Sequence, residues 1–280
     1  MANSFYDDRI NNLVAFKNNE YPSAKRIDVM KVRGKEVEYK HFLTGEFNKS
    51  NFLFNDVNIK INPKSKKENI LNFPSGIYND ISLHAFWHHM NSSQVMCINF
   101  FYKYLKEPEK LSEILKQIEG INIEQDIKPK SIEFEHKEDD KSSIDLVIEL
   151  NNNKKIFIEV KYTESAFGGT QSKRFKELHD KYHSNVEIND DYSDYKKYYQ
   201  FIRNACLGID GNYTIFLFPK NNISIAESYR KAKENIKFIK PVEVGCLYWE
   251  DIIKKDIDDI FYRKYFANAL EMEEYYKNKS

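Results

Sequence analysis

The chain has 280 residues, enough for one large domain or two small ones and for a substantial core, so a minimal module is excluded. Its 43 lysines and arginines balance 43 acids, and charged residues at 31% beside hydrophobic ones at 41% describe a globular chain, neither disordered nor a general polycation. No stretch approaches the roughly 18 apolar residues of a membrane span, and the first residues are too polar, through Asp7, Asp8, Arg9 and Asn11, for the core of a secretion signal. A cytoplasmic protein without membrane association is the expectation. Cys97, Cys206 and Cys246 are widely spaced and odd in number, which suits neither a disulfide scaffold nor a zinc site, so they are expected to be buried thiols.

In chain order, residues 1–80 mix short extended signals, Ile27 to Val32 and Glu36 to Tyr39, with breaks around Pro22, Gly34, Gly45 and Pro63. From Ala24 to Lys67, eleven basic residues stand against five acids. That excess reads either as an arm facing a polyanion such as DNA or as a solvated surface offset elsewhere. Residues 1–80 are expected to form an N-terminal elaboration, a candidate DNA-contact arm. Next, Val95, Ile98, Phe101 or Tyr102, and Leu105 fall on one stripe after Asn91, Ser92 or Ser93 as N-cap, which predicts a helix over Ser92 to Leu105. Pro108 interrupts it, a short helix is expected from Glu109, and Gly120 supplies a stop.

After Pro129 the period changes from helical to two, giving strand signals at Ser131 to Lys137, Ser143 to Leu150 and Lys154 to Tyr162. Helical signals return at Lys173 to His183 and Tyr192 to Leu207. An apolar strand at Tyr213 to Phe218, a short one at Val242 to Tyr248, and a polar helix rich in Tyr complete the series. Helix, three strands, helix, strand is a mixed α/β order, read as one principal domain over residues 81–280.

The chemistry gathers on two of these strands. Ile144, Leu146, Ile148 and Leu150 share one face of the first, opposite Ser143, Asp145, Val147 and Glu149; Ile156, Ile158 and Val160 share one face of the second, opposite Phe157, Glu159 and Lys161. A turn of three asparagines, Asn151 to Asn153, joins them, and Asn accepts positive φ at little cost. Folding symmetrically about Asn152 sets Leu146 against Ile158 and Asp145 against Glu159, with a cross-strand Cβ separation of about 4.5–5.5 Å. Two facing carboxylates repel unless a cation lies between them, and a hard divalent ion that also binds phosphate oxygens suits them. Lys161, two residues beyond Glu159 on the same face, could orient or deprotonate an attacking water or stabilise charge on phosphorus oxygens. Asp, Glu and Lys so placed are the parts of a metal-assisted phosphodiester hydrolase.

Glu-x-Lys alone is uninformative, since it also occurs at Glu38/Lys40 and Glu135/Lys137. Only the copy at Glu159/Lys161 ends an alternating strand and faces an upstream acid through a hairpin. The bland alternative is a solvated sheet face with an incidental ion pair. A pairing of Asp126 with Glu135 and Lys137 lacks a convincing strand over Glu124 to Lys130.

With these residues the chain resembles the PD-(D/E)xK nuclease superfamily, in which Asp145 matches the motif's Asp and Glu159-Val160-Lys161 its Glu-x-Lys, while Ile144 stands where the family name has Pro. His84, His88, Asn91-Ser92-Ser93-Gln94, and Tyr199-Gln200-x-x-Arg203-Asn204 are similar to a bacterial subgroup of restriction-endonuclease-like proteins. The resemblance covers about Asn91 to Tyr248. It implies a restriction-endonuclease-like core, a central mixed β-sheet flanked by helices. It also implies Mg²⁺, with Mn²⁺ as substitute, held by Asp145 and Glu159. A polar residue of the first helix often joins such a site; Gln94 is the candidate here, and Glu135 or Glu133 on the first strand is the alternative.

His84, His88 and His89 invite a metal reading, because His84 and His88 are i, i+4 on a helix, but no further zinc ligand lies nearby. Packing against Trp87, or a hydrogen bond near substrate phosphate, is the expectation. On the helix after the site, Gln200 and Arg203 are candidates for phosphate contact, against the reading of a plain solvated face. The segment Thr163 to Asp191 holds Gly168-Gly169 and Lys173-Arg174; it lacks a phosphate-loop signature and reads as a flap over nucleic acid, with Lys173 and Arg174 as contacts.

The reading that results is a Mg²⁺-dependent endonuclease acting on double-stranded DNA, of restriction or defence type, with RNA a weaker variant. Cutting both strands asks for two active sites, so a homodimer is expected by analogy. The alternative is a nuclease-fold module that binds nucleic acid or a protein without turnover.

Overall fold

The computed structural model describes residues 4–24, 28–32, 35–43, 50–54, 83–84, 86–124, 126–137, 143–170, 180, 182–187 and 193–279. In chain order these form α1 (Ser4–Glu20), β1 (Asp28–Val32), β2 (Lys35–Tyr39), α2 (Ser93–Phe101) and α3 (Ser112–Leu115). There follow β3 (Pro129–Lys137), β4 (Ser143–Leu150), β5 (Lys155–Val160), α4 (Ser193–Lys197), α5 (Tyr199–Ala205) and β6 (Tyr213–Phe218). The rest are α6 (Ile223–Asn235), β7 (Glu243–Tyr248), α7 (Trp249–Ile252), α8 (Ile260–Tyr265) and α9 (Ala269–Lys279).

The chain divides into two compact units, Met1–Tyr102 with Ile253–Ser280, and Lys103–Ile252. This partition cuts elsewhere than the boundary expected at residue 80: α2 and the last 28 residues group with the N-terminal segment.

In the first unit, the opening helix α1 goes beyond the extended signals read over residues 1–80. Its buried side includes Asn12 and Lys17 beside Leu13 and Phe16, which blurs the apolar period a helix usually shows. Arg9 donates to the carbonyls of Tyr265 and Phe266, Arg263 pairs with Glu20 at 2.9 Å, and the Tyr276 hydroxyl donates to Glu20 at 2.5 Å, so α8 and α9 are tied to α1. The extended signals at 28–32 and 35–39 form an antiparallel pair. Helix α2 begins where expected, with Ser92 Oγ accepting from the Val95 N–H at 3.3 Å. The histidines do not lie on a helix: residues 86–88 form a turn, and His89 stacks closely on Phe42 while His88 meets Phe42 and Trp87 edge-on.

The second unit is built on one sheet ordered β3-β4-β5-β6-β7, antiparallel through β5 and parallel from β5 to β7, with helices between the parallel strands. It is the mixed α/β sheet expected of a restriction-endonuclease-like fold. The three asparagines make the β4–β5 turn: Asn153 takes φ 64°, and Asn152 Oδ1 accepts the Lys154 N–H at 3.1 Å. This turn fixes the register predicted from symmetry about Asn152, with Leu146 opposite Ile158 and Ile148 opposite Ile156.

One sheet face carries Leu146, Ile148, Ile156, Ile158 and Val160, all fully buried. The other carries Phe216, Phe218, Val244 and Cys246, packed under Phe201 and Ile202 of α5 and Tyr229 and Ala232 of α6. Helix α6 lies outside the elements read from the sequence; Asn222 caps it by accepting from the Ile225 N–H. The predicted helix over Tyr192 to Leu207 is broken at Tyr198 into α4 and α5. Cys97 and Cys246 are buried and Cys206 is half-buried; all three are thiols. No helix among the described residues is long and apolar enough to cross a membrane.

Candidate functional site

The β4–β5 ladder runs from Glu149 and Lys155 to Leu146 and Ile158 and goes no further. Beyond it the strands part, and the Val160 N–H donates instead to Asp145 Oδ2 at 2.7 Å. Asp145 thereby spends one oxygen replacing a backbone partner, which fixes its carboxylate at the point where the sheet splays. Lys161 continues the parallel side, its N–H donating to the Leu217 carbonyl at 2.8 Å. Lys161 Nζ donates to Glu159 Oε1 at 2.9 Å, and the charges of both bear on the titration of Asp145.

A third acid joins them. Glu135 falls opposite Asp145 in the β3–β4 register, between the pairs Phe134–Leu146 and His136–Ile144. It is buried, and its φ of 53° lies in the left-handed region that glutamate rarely adopts. Such a conformation costs on the order of 1–3 kcal/mol and persists where surroundings dictate it, often at functional sites. Glu133 is exposed and pairs with His136 at 2.9 Å, so of the two glutamates offered as alternatives only Glu135 enters the acid cluster. Gln94 belongs to the other compact unit, where it is buried and its Oε1 accepts the His84 N–H at 2.9 Å.

Glu159, only 5% exposed, is held by three donors. Lys161 Nζ and Gln200 Nε2 reach its Oε1 at 2.9 and 2.7 Å, and Asn204 Nδ2 reaches its Oε2 at 2.8 Å. The amides are themselves oriented. Gln200 Oε1 accepts the Gly168 N–H at 3.0 Å, and Asn204 Oδ1 accepts Arg203 Nε at 2.9 Å. Of the two residues read from the sequence as phosphate contacts, Gln200 turns its amide onto Glu159 and Gly168, while Arg203, half-exposed, uses its Nε on Asn204. Asn204 stands one turn after Gln200, a spacing that lets both face the same carboxylate.

The stretch after Lys161 is clamped as well. Asn222, fully buried, donates to the carbonyls of Tyr162 and Glu164, and Trp249 Nε1 donates to the carbonyl of Lys161. Neither residue carries a motif in the sequence. Residues 168–170 dock on α4 and α5: the Gln200 N–H donates to the Gly168 carbonyl and the Thr170 N–H to that of Lys196, both at 2.9 Å. The near end of the expected flap is thus a docked loop. Lys173 and Arg174 lie outside the described residues, as does much of the basic stretch between Ala24 and Lys67.

The electrostatics follow from crowding. Loss of water around the Asp145 carboxyl, then the charges of Glu159 and Glu135, raise its pKa well above the ordinary carboxylate value, although Lys161 and the Val160 N–H pull the other way. Burial by itself would depress the Lys161 ammonium, but Glu159, Glu164 and Asp145 outweigh it and raise its pKa. The carboxyl groups around Asp145 and Lys161 thus outnumber the one ammonium. Among the described residues, no three His, Cys, Asp or Glu side chains stand ready as a cage for a metal. Carboxylate oxygens are the donor type that a hard divalent ion takes.

A mixed sheet bearing Asp145 at one strand end and Glu159-Val160-Lys161 at the next defines a protein of the restriction-endonuclease-like class. The family model described as Restriction Endonuclease associating with ARP matches residues 24–260, and the chain belongs to that family. No curated protein and no solved structure matches the chain.

Proposed function

We propose that this chain is a divalent-metal-dependent endonuclease that hydrolyses phosphodiester bonds in double-stranded DNA, in a restriction or defence role. The observation that carries the reading is the buried pair Glu159–Lys161, at 2.9 Å, beside Asp145, whose carboxyl also feels the charge of Glu135.

Asp145, Glu159 and Glu135 would hold Mg²⁺, or Mn²⁺ in its place. When bound, the ion supplies Lewis-acid polarisation of a phosphoryl oxygen and a lowered pKa for water. Lys161, kept cationic by its neighbours, acts as an ammonium that orients the nucleophile and stabilises negative charge building on phosphorus oxygens, rather than as a base. Trp249 and Asn222 hold the backbone on which Lys161 sits. Glu135 is taken here as a further group at the site.

One observation favours a second reading. The Glu159 carboxylate is already supplied with donors by the protein, as expected of a nuclease-fold module that binds nucleic acid or a protein partner without turnover. Plasmid incubation with Mg²⁺ or Mn²⁺, with and without chelator, separates the two. Chelator-sensitive nicking or cutting that is lost in Asp145→Ala and Lys161→Ala supports the endonuclease. DNA retention in Ca²⁺ without any cleavage in Mg²⁺ or Mn²⁺ supports the module.

A further inference from the structure

A carboxylate offers about four lone-pair sites on its two oxygens. In Glu159, Oε1 takes Lys161 and Gln200 while Oε2 takes Asn204, so three are used and the remaining one is on Oε2. Neither amide can turn over without losing its second partner, because Gly168 N–H fixes Gln200 and Arg203 Nε fixes Asn204. Asn204 is fully buried, and its backbone carbonyl accepts the hydroxyl of buried Thr214 at 2.8 Å, which anchors α5 to β6.

From this network we infer that Gln200 and Asn204 are positioning residues that hold the Glu159 carboxylate with one Oε2 lone pair presented, and that Gln200 links this orientation to the docked loop at Gly168-Gly169. The inference rests on the proposal that Glu159 ligates a divalent ion. It also explains two glycines. A Cβ on Gly168 would stand 3.3 Å from Gln200 Oε1, and one on Gly169 would stand 2.9 Å from the Lys196 carbonyl oxygen, closer than a real Cβ contact. The loop can lie this near the helix only without side chains, and the Gly168–Gln200 hydrogen bond needs that approach.

Groups that orient a metal ligand commonly change metal affinity or activity by 10- to 100-fold when removed. The test is calorimetric titration of the full chain with Mn²⁺ alone, alongside plasmid cleavage, on wild type, Asp145→Asn, Gln200→Met and Gly169→Ala. Met approximates the volume of Gln but neither donates to Glu159 nor accepts from Gly168. Ala at 169 touches no residue of the acid cluster and acts only by lifting the loop. We expect about 10- to 100-fold weaker Mn²⁺ binding for Gln200→Met and a smaller weakening for Gly169→Ala, each with a matching fall in kcat. Should Gln200→Met fold poorly, Gly169→Ala decides the matter from an exposed loop. If wild type binds Mn²⁺, Asp145→Asn abolishes binding, and both other variants bind as wild type does, the positioning role is overturned while the nuclease reading stands. If wild type itself binds no Mn²⁺ and leaves DNA intact, the nuclease reading fails and this inference falls with it.

Discussion

The carboxylate of Asp145 accepts the backbone N–H of Val160 at 2.7 Å, at the point where β4 and β5 stop pairing. A side chain completes the ladder in place of a carbonyl, so the acid is fixed by the same geometry that opens the sheet. Asp145→Asn keeps an oxygen for that hydrogen bond and removes the charge. It should fold normally and lose roughly a hundredfold or more of cleavage, since a metal's charge stabilisation is worth several kcal/mol. Circular dichroism melts and plasmid nicking rates measure the two effects separately; retained cleavage would remove Asp145 from the metal site.

Lys161 is the counter-charge of the cluster. Lys161→Met leaves Glu159 with its amide donors but sets three carboxylates together without a cation. Breaking a buried pair from one side costs about 3–5 kcal/mol, so the metal-free variant should melt well below wild type. Mn²⁺ should then raise the melting temperature of the variant by more than it raises that of wild type, while cleavage stays lost. Equal shifts in both proteins would mean that the ion does not enter this cluster.

The raised pKa of Asp145 sets a pH dependence. A carboxyl whose folded pKa lies above its unfolded value contributes stability that is full below the ordinary carboxylate range and is lost as pH rises through the raised value. Metal-free protein should therefore lose some stability as pH rises above the ordinary carboxylate range, and Asp145→Asn should lose less. Mn²⁺ affinity should run the opposite way, rising with pH as the proton leaves. Titrations at several pH values in wild type and Asp145→Asn check both slopes.

The first unit carries its own acid sensitivity. Burial lowers His41 to about 4, and burial together with His88 and His41 lowers His89 to about 3, against an ordinary value of 6.5. Groups kept neutral by the fold contribute stability that is present above 6.5 and lost as pH falls through those depressed values. Melting temperature should drop across that window, and His41→Gln should flatten the drop. An unchanged slope in the variant would assign the acid loss to other groups.

Much of the second unit was legible because its signals are local. Alternating apolar residues and three consecutive asparagines predicted the β4–β5 hairpin and its register, and Glu159-Val160-Lys161 stood out by ending a strand that faces Asp145. Helix α6 and Asn222 carry equally local signals, an asparagine cap followed by apolar residues at helical spacing, yet bear no chemistry that would single them out. Helix α1 is harder to read, because Lys17 and Asn12 occupy its buried side.

The sequence by itself determined strand period, turn chemistry and the presence of Asp145 and Glu-x-Lys, all properties of residues within a few positions of one another. Only the tertiary structure decided that Glu135 takes a left-handed conformation opposite Asp145, and that Gln200 and Asn204 turn inward onto Glu159 from 41 and 45 positions away. Which carboxylates share a charge, and which amides orient them, depends on distances set by sheet splay and helix docking, and no local pattern encodes these.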